Sequence, residues 1–416
     1  MSIGMFYRLE IENFFSIRER QVMDLRVGRS VKGGPEKFAP LFPGSNERAP
    51  KVVALYGANA SGKTTILRAL AFLQWFLSKS LVTNDGWWLA GFNDQEFQSR
   101  PVFVALEFSG QNGLTTEDIK TRAASGQPFS LYRYELCVEL VDGSPKRVLR
   151  EALHQKPMGK GKWVRIFDRD AVAGTTGSHL FPLTKASRLI ADQVRPDVSL
   201  VTTLIKNVEH PAAQAVFDAA SQVLTNVTDA LRDRLVINDQ ELFRYLSKVP
   251  TVVDHLNALL PTIDVGLDRI ELRDTSEGPT LNFFHHGQFR PLGWLNESHG
   301  TRAFIKALPL IALALEHGTV TILDELDQAL HPLLLREVVT WFYSAERNPK
   351  DAQLWLTCHS ASLLDDLAKE EVVFCEKDQL GRTRIYRLAD IEDVRPDQNF
   401  HKKYLSGLYG AVPAFG

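Results

Sequence analysis

The stretch Gly57–Thr64 reads GANASGKT and fits the spacing GxxxxGK[ST]. It follows a short apolar, β-branched run, KVVALYG (51–57), and runs into a segment with helical apolar spacing at Ile66, Leu67, Leu70, Leu73 and Leu77. Phosphate binding needs that context. Glycines let the backbone wrap an anion, and successive N–H groups with a helix N-terminus hold its charge. Gly57, Asn59, Ala60, Ser61, Gly62 and Thr65 are the expected cradle. Lys63 is expected to reach the β- and γ-phosphates of ATP, and Thr64 to ligate Mg2+.

Two further clusters bear on the same chemistry. TVTILDE (319–325) is an apolar, β-branched run ending in two acids. A strand there sets Asp324 at its C-terminal edge, where a carboxylate holds a metal-bound water, and Glu325 one residue on to orient or deprotonate an attacking water. QLWLTCHSASLL (353–364) closes an apolar strand at His359, whose imidazole is placed to bond a γ-phosphate. A third stretch, LNESHGTRAF (295–304), precedes a long apolar run. The Ser298 hydroxyl, the bare Gly300 N–H and a helix dipole together offer a second anion site, and Ser298 also reads as an N-cap.

The elements that must position these groups follow from periodicity. Residues 5–27 alternate as paired antiparallel strands, and 28–50, rich in Gly and Pro, reads as a loop. Strand patterns fill 101–167, with a Gly-, Thr- and Ser-rich loop over 111–127. Helical spacing runs through 186–260 and strands return at 265–295. The remainder alternates helix 300–316, strand 319–323, helix 331–346, strand 353–357, helix 361–369 and strands 371–375 and 383–388, the pattern of a parallel core sheet. The expected organisation is an α/β lobe over 1–185 with an antiparallel β region, a helical insertion over 186–262 and a second lobe over 263–416.

The composition, 44% hydrophobic and 24% charged, is that of a globular chain, and the net charge of −2 announces no nucleic-acid binder. Cys137, Cys358 and Cys375 have no CxxC spacing, which speaks against a cysteine zinc site and for a reducing cytoplasm. No basic segment followed by an apolar core opens the chain, so no signal peptide is expected. The longest apolar stretch, 307–323, is broken by Glu316, His317 and Gly318 and reads as buried helix and strand rather than a membrane span. One run is basic: 146–165 carries Lys146, Arg147, Arg150, Lys156, Lys160, Lys162 and Arg165 beside Trp163, against the single acid Glu151. It reads as a solvated hairpin face, with DNA contact as the alternative.

The order of P-loop, Ser-x-Gly, Asp-Glu, following Asp and strand-end His resembles that of the ABC-type ATPases, which include transporter subunits, SMC proteins and RecF. The resemblance implies an ABC-type P-loop ATPase head in which Ser298 and Gly300 contact the γ-phosphate held by a second subunit. Asp327 would lie at that head-to-tail seam. The transporter form, Leu-Ser-Gly-Gly-Gln, is departed from at His299 and Thr301, so no transporter role is expected. A glutamine contact to magnesium is also implied; Gln95 and Gln98 are both candidates.

LEIENFFSIRE, ESHGTRAF, LDELDQALHP and the tail DQNFHKKYLSGLYGAVPAFG resemble the AAA-type ATPases of bacterial phage-defence systems, of the AbiLi/RloA kind, related to the PARIS ATPase and the ATPase half of OLD-family proteins. That resemblance implies a sensor or switch beside a separate, often TOPRIM-like, effector nuclease. No nuclease domain of that kind is expected after His359. Two other functions stay open: a RecF-like clamp on DNA, and a scaffold stabilised by ATP with slow turnover.

Overall fold

The computed structural model describes residues 2–31, 36–81, 87–111, 129–157, 160–227, 239–263, 266–276, 278–396 and 398–413. The chain opens with β1 (Ser2–Glu12) and β2 (Gln21–Asp24), a small hairpin β3 (Phe38–Pro40) and β4 (Arg48–Pro50), then β5 (Val52–Tyr56) and α1 (Lys63–Lys79). Strands β6 (Val102–Gln111), β7 (Phe129–Val141), β8 (Ser144–Pro157), β9 (Val164–Asp170) and β10 (Gly174–Gly177) follow. Helices α2 (Lys185–Asp192), α3 (Leu200–Asn207) and α4 (Pro211–Ser221) lead to the two-residue strand β11 (Leu224–Thr225). Next come α5 (Asp239–Lys248), α6 (Pro250–Ile263) and a small antiparallel sheet of β12 (Leu267–Thr275), β13 (Gly278–His285) and β14 (Leu292–Gly293). The C-terminal part alternates α7 (His299–His317), β15 (Val320–Leu323), α8 (Leu326–Ala329), α9 (Pro332–Tyr343), β16 (Gln353–Thr357), β17 (Val372–Lys377), β18 (Thr383–Arg387) and α10 (Phe400–Leu405).

Two large sheets organise these elements. The core sheet has the order β11-β15-β16-β5-β17-β18, parallel throughout except for the antiparallel edge strand β18. The second sheet is antiparallel, in the order β10-β9-β8-β7-β6-β1-β2. This is the expected α/β P-loop ATPase architecture with an antiparallel β lobe.

Every residue of β5, β15 and β16 is buried, as a parallel sheet covered on both faces requires. Period-two alternation sends Val53 and Leu55 into one core with α1 and the antiparallel sheet, and Val52, Ala54 and Tyr56 into another with α7 and α9. Helix α1 is apolar nearly all round, with Ile66, Leu67, Leu70, Phe72, Leu73 and Phe76 at 2% exposure or less. Each such side chain contributes roughly 1.5–3 kcal/mol of burial, so the helix that closes the phosphate loop is firmly seated.

The structure departs from the sequence reading in three places. The stretch 28–50 is not all loop: Phe38, Ala39 and Ala49 are buried, and their strands pair as β3 and β4. A helix over 361–369 is replaced by a 3-10 segment, Ala361–Asp365, with Leu363, Leu364 and Leu367 all buried. The 186–260 stretch is not purely helical: Leu224 and Thr225 pair in parallel with Thr321 and Ile322 and complete the edge of the core sheet. The Gly-rich loop expected over 111–127 lies, from residue 112 on, outside the described residues.

Candidate functional site

Four parallel strands end on the same side of the core sheet, and each end delivers one part of the site. β5 opens into the phosphate loop at Gly57, β15 into Asp324 and Glu325, β16 into His359 and β11 into Asn226. In an open α/β sheet this carboxyl edge is where ligands bind. There the chain forms a cavity of about 770 Å3 lined by Asn59 to Thr65, Asp324, Glu325 and His359. That volume lies within the usual range for a small-molecule or cofactor site.

The loop sequence has a steric reason. Gly57 and Gly62 have φ of 151° and 107°, and a Cβ on Gly57 would meet the Cys375 carbonyl while one on Gly62 would meet Thr383. Ala60, with φ 62°, takes the left-handed conformation despite its Cβ. Lys63 Nζ donates to the carbonyls of Gly57 and Ala58 at 2.7 and 3.0 Å, so the ammonium is held across the mouth of the loop. Burial pushes its pKa below the ordinary lysine value, against the pull of nearby groups that include Asp327 and Asp324. Burial also pushes the Cys375 thiol up to about 12 and the Cys358 thiol well above its usual value, so neither offers a thiolate near neutral pH.

The two acids are held from both sides. Asp324 Oδ1 accepts from Thr64 Oγ1 at 3.2 Å and from Thr357 Oγ1 at 2.7 Å. The paired Thr64 hydroxyl and Asp324 carboxylate are hard oxygen donors, the chemistry that suits Mg2+ completed by phosphate and water. Glu325 adopts φ 55° and ψ 29°, left-handed for a residue with a side chain, at a cost of about 1–2 kcal/mol. Asp327 turns inward: its Oδ2 accepts from the backbone N–H of His359 and, at 3.0 Å, from that of Ser360. That intrachain grip on the histidine loop is a role the sequence did not suggest, and Asp327 does not line the cavity.

Ser298 and Gly300 are also absent from the cavity wall of their own chain. Ser298 caps α7, its Oγ accepting from Thr301 N at 3.1 Å. The buried Glu297 carboxylate anchors the turn, accepting from Ser298 N at 2.7 Å and lying 2.8 Å from His285 Nε2. The face of α7 that does reach the cavity carries His299, Arg302 and Lys306.

Gln95 and Gln98 are exposed, in the 94–100 turn, and neither lines the cavity. Reasoning from sequence missed Asn226 and Thr357, and left unassigned Phe15 and Ser16 of the NFFS turn, which also line the cleft. Asn226 had no signal, since it lies in a stretch that reads as helix; Thr357 sits two residues before His359 and could have been found from that spacing.

Sheet, phosphate loop and strand-end acids define a P-loop nucleotide-binding protein of the AAA class. The chain belongs to the family described as "AAA domain, putative AbiEii toxin, Type IV TA system", whose model matches residues 52–127 and 187–365. The segment between the two matches carries β7 to β10 of the antiparallel sheet. Among solved structures, the SMC head domain from Thermotoga maritima is similar at 13% identity and a TM-score of 0.37, covering 93% of this chain and 99% of that one. The search of curated proteins finds no match. Among the described residues, no helix is long and apolar enough to cross a membrane.

Proposed function

We propose that the protein is an ATP-binding and ATP-hydrolysing switch of a cytoplasmic antiphage defence system, of the abortive-infection or toxin–antitoxin kind, controlling a separate TOPRIM-like effector nuclease. The observation that carries this reading is the contact of Thr64 with Asp324 at the mouth of the phosphate loop, with Glu325 beside it. The family match supports the defence context.

In this reading the phosphate-loop N–H groups and Lys63 bind the β- and γ-phosphates, and His359 bonds the γ-phosphate from the neighbouring strand end. Thr64 and Asp324 would hold Mg2+, which when bound neutralises developing phosphate charge. Glu325 orients and deprotonates the attacking water, a role typically worth 10²–10⁴-fold in rate. Ser298 and Gly300, outside their own chain's cavity, serve the nucleotide of a second protomer in a head-to-tail ATP sandwich, with Asp327 beside that seam through the histidine loop it holds.

The test is a pull-down of the Glu325→Gln protein with ATP and magnesium from cells carrying its native genomic neighbourhood. Co-purification of a nuclease-like protein without DNA supports the switch. DNA recovered in a salt-sensitive manner without a protein partner supports the RecF-like clamp instead. The observation favouring that second reading is the β8–β9 hairpin, where Trp163 is 36% exposed and Lys160, Lys162 and Arg165 are exposed beside it. Binding of ATP with neither partner and almost no turnover supports the scaffold.

A further inference from the structure

Two side chains from the strands flanking β15 bind four backbone and side-chain groups of the Asp324–Glu325 turn. Asn226, at the end of β11, accepts from Asp324 N through Oδ1 at 2.8 Å and donates to Asp324 O through Nδ2 at 3.1 Å. A carboxamide that satisfies both the N–H and the C=O of one residue fixes the two peptide units on either side of it, and Asn offers both groups at the needed separation. On the other flank, at the end of β16, the Thr357 hydroxyl accepts from Glu325 N at 2.8 Å and donates its one proton to Asp324 Oδ1 at 2.7 Å. Thr357 is 1% exposed, and its side chain is set by the register that pairs it with Leu55 of β5.

The turn these groups hold is one the sequence would not keep unaided. Glu325 is left-handed, a conformation that a residue with a Cβ adopts at a cost. Both flanking side chains also line the cavity, so the clamp lies at the nucleotide and not behind it.

We propose that Asn226 and Thr357 are the positioning pair for hydrolysis: they hold Glu325 in its left-handed setting and Asp324 in its metal-facing one, and turnover depends on them while nucleotide affinity does not. Neither residue touches the reacting atoms in this account. Asn226 also couples the site to the edge of the sheet, because β11 is the last parallel strand before the chain leads towards α5 and α6. The inference rests on the ATPase reading of the site.

The experiment compares Asn226→Ala, Thr357→Val and Thr357→Ser in the full-length protein, with steady-state ATPase kinetics, binding of a fluorescent ATP analogue with magnesium and amide hydrogen exchange across 320–330. Thr357→Val and Asn226→Ala are expected to lower kcat 10- to 100-fold with analogue affinity within about threefold of the parent. Faster exchange at Glu325 is expected in Thr357→Val alone. Thr357→Ser, which keeps the hydroxyl, is expected to recover both rate and protection. A merely structural threonine would not separate Ser from Val in kcat at equal affinity and equal melting temperature. Parent-like kcat in both Asn226→Ala and Thr357→Val overturns the positioning role, as does loss of affinity in step with rate, or a Ser variant no better than Val. A parent protein with no ATPase activity above that of Lys63→Ala overturns the ATPase reading itself and takes the positioning role with it.

Discussion

The phosphate loop and the Ser298 turn both stand at the start of a helix, yet the protein builds them differently. The phosphate loop is complete within one chain. Its glycines sit where a Cβ has no room, its lysine is already drawn across the loop mouth, and its acids are gripped by neighbouring strand ends. The Ser298 turn is equally well held, by Glu297 and His285, but its hydroxyl is spent on capping α7 and it stands outside its own chain's cavity. One site is preorganised for a ligand that the chain itself surrounds. In the proposed sandwich the other receives its ligand from a second protomer.

Lys63→Ala gives the largest expected effect, since it removes the side chain that spans the loop mouth by direct contact with its carbonyls. Nucleotide affinity is expected to fall at least 100-fold, read by titration calorimetry with ATP and magnesium. Retained affinity would mean that the loop backbone alone carries binding and that the two sites are more alike than their geometry suggests. Glu325→Gln comes next. It keeps the turn, because the backbone contacts to Asn226 and Thr357 do not involve its side chain, and it is expected to lower kcat 10²–10³-fold with ATP still bound. Size-exclusion chromatography with ATP should then show a trapped dimer; hydrolysis at the parent rate would refute Glu325 as the base.

Ser298→Arg sharpens the comparison most directly. Affinity for ATP in the isolated protomer is expected to match the parent within about threefold, whereas turnover falls 10- to 100-fold and the ATP-dependent dimer is lost. Mixing Ser298→Arg with Lys63→Ala protein is the decisive check. Each variant then supplies the half-site the other lacks, and a mixed dimer should recover a fraction of the parent rate. No recovery would place Ser298 in the service of its own chain.

The two sites were also unequally legible in the sequence. The phosphate loop is a contiguous string whose spacing reflects local backbone sterics, so Gly57 to Thr65, Asp324, Glu325 and His359 could be found by reading along the chain, and all but Gly57 and Ala58 line the cavity. Asn226 could not, because its importance comes from a two-residue strand pairing with Thr321 and Ile322 nearly a hundred residues on. A strand that short has no periodicity to detect, and the surrounding apolar spacing favours helix. Asp327 was visible as a residue but not in orientation: only the fold shows its carboxylate turned onto the His359–Ser360 backbone. Local chemistry is written locally, and the groups that hold it in place are not.

The smallest expected effect falls outside both sites and tests whether they answer to pH through global stability. Glu371 is fully buried, accepting from Tyr343 Oη and Ala368 N, with Lys37 Nζ 3.8 Å away. The lysine favours the charged form, but burial outweighs it and pushes the carboxyl up to about 7 from an ordinary value of 4.5. Between those values the folded protein holds a proton that the unfolded chain has released, so stability is greatest below pH 4.5 as far as this group is concerned. It declines as pH rises to about 7 and is level beyond. Melting temperature is expected to drop by a few degrees across that window, and Glu371→Gln to flatten the drop while leaving ATP affinity and kcat at neutral pH within about twofold of the parent. If instead the variant alters kcat as strongly as Ser298→Arg does, the contrast between a self-contained site and a waiting one is too simple. The packing of β17 behind the phosphate loop, where the Cys375 carbonyl meets Gly57, would then have to be counted as part of the site.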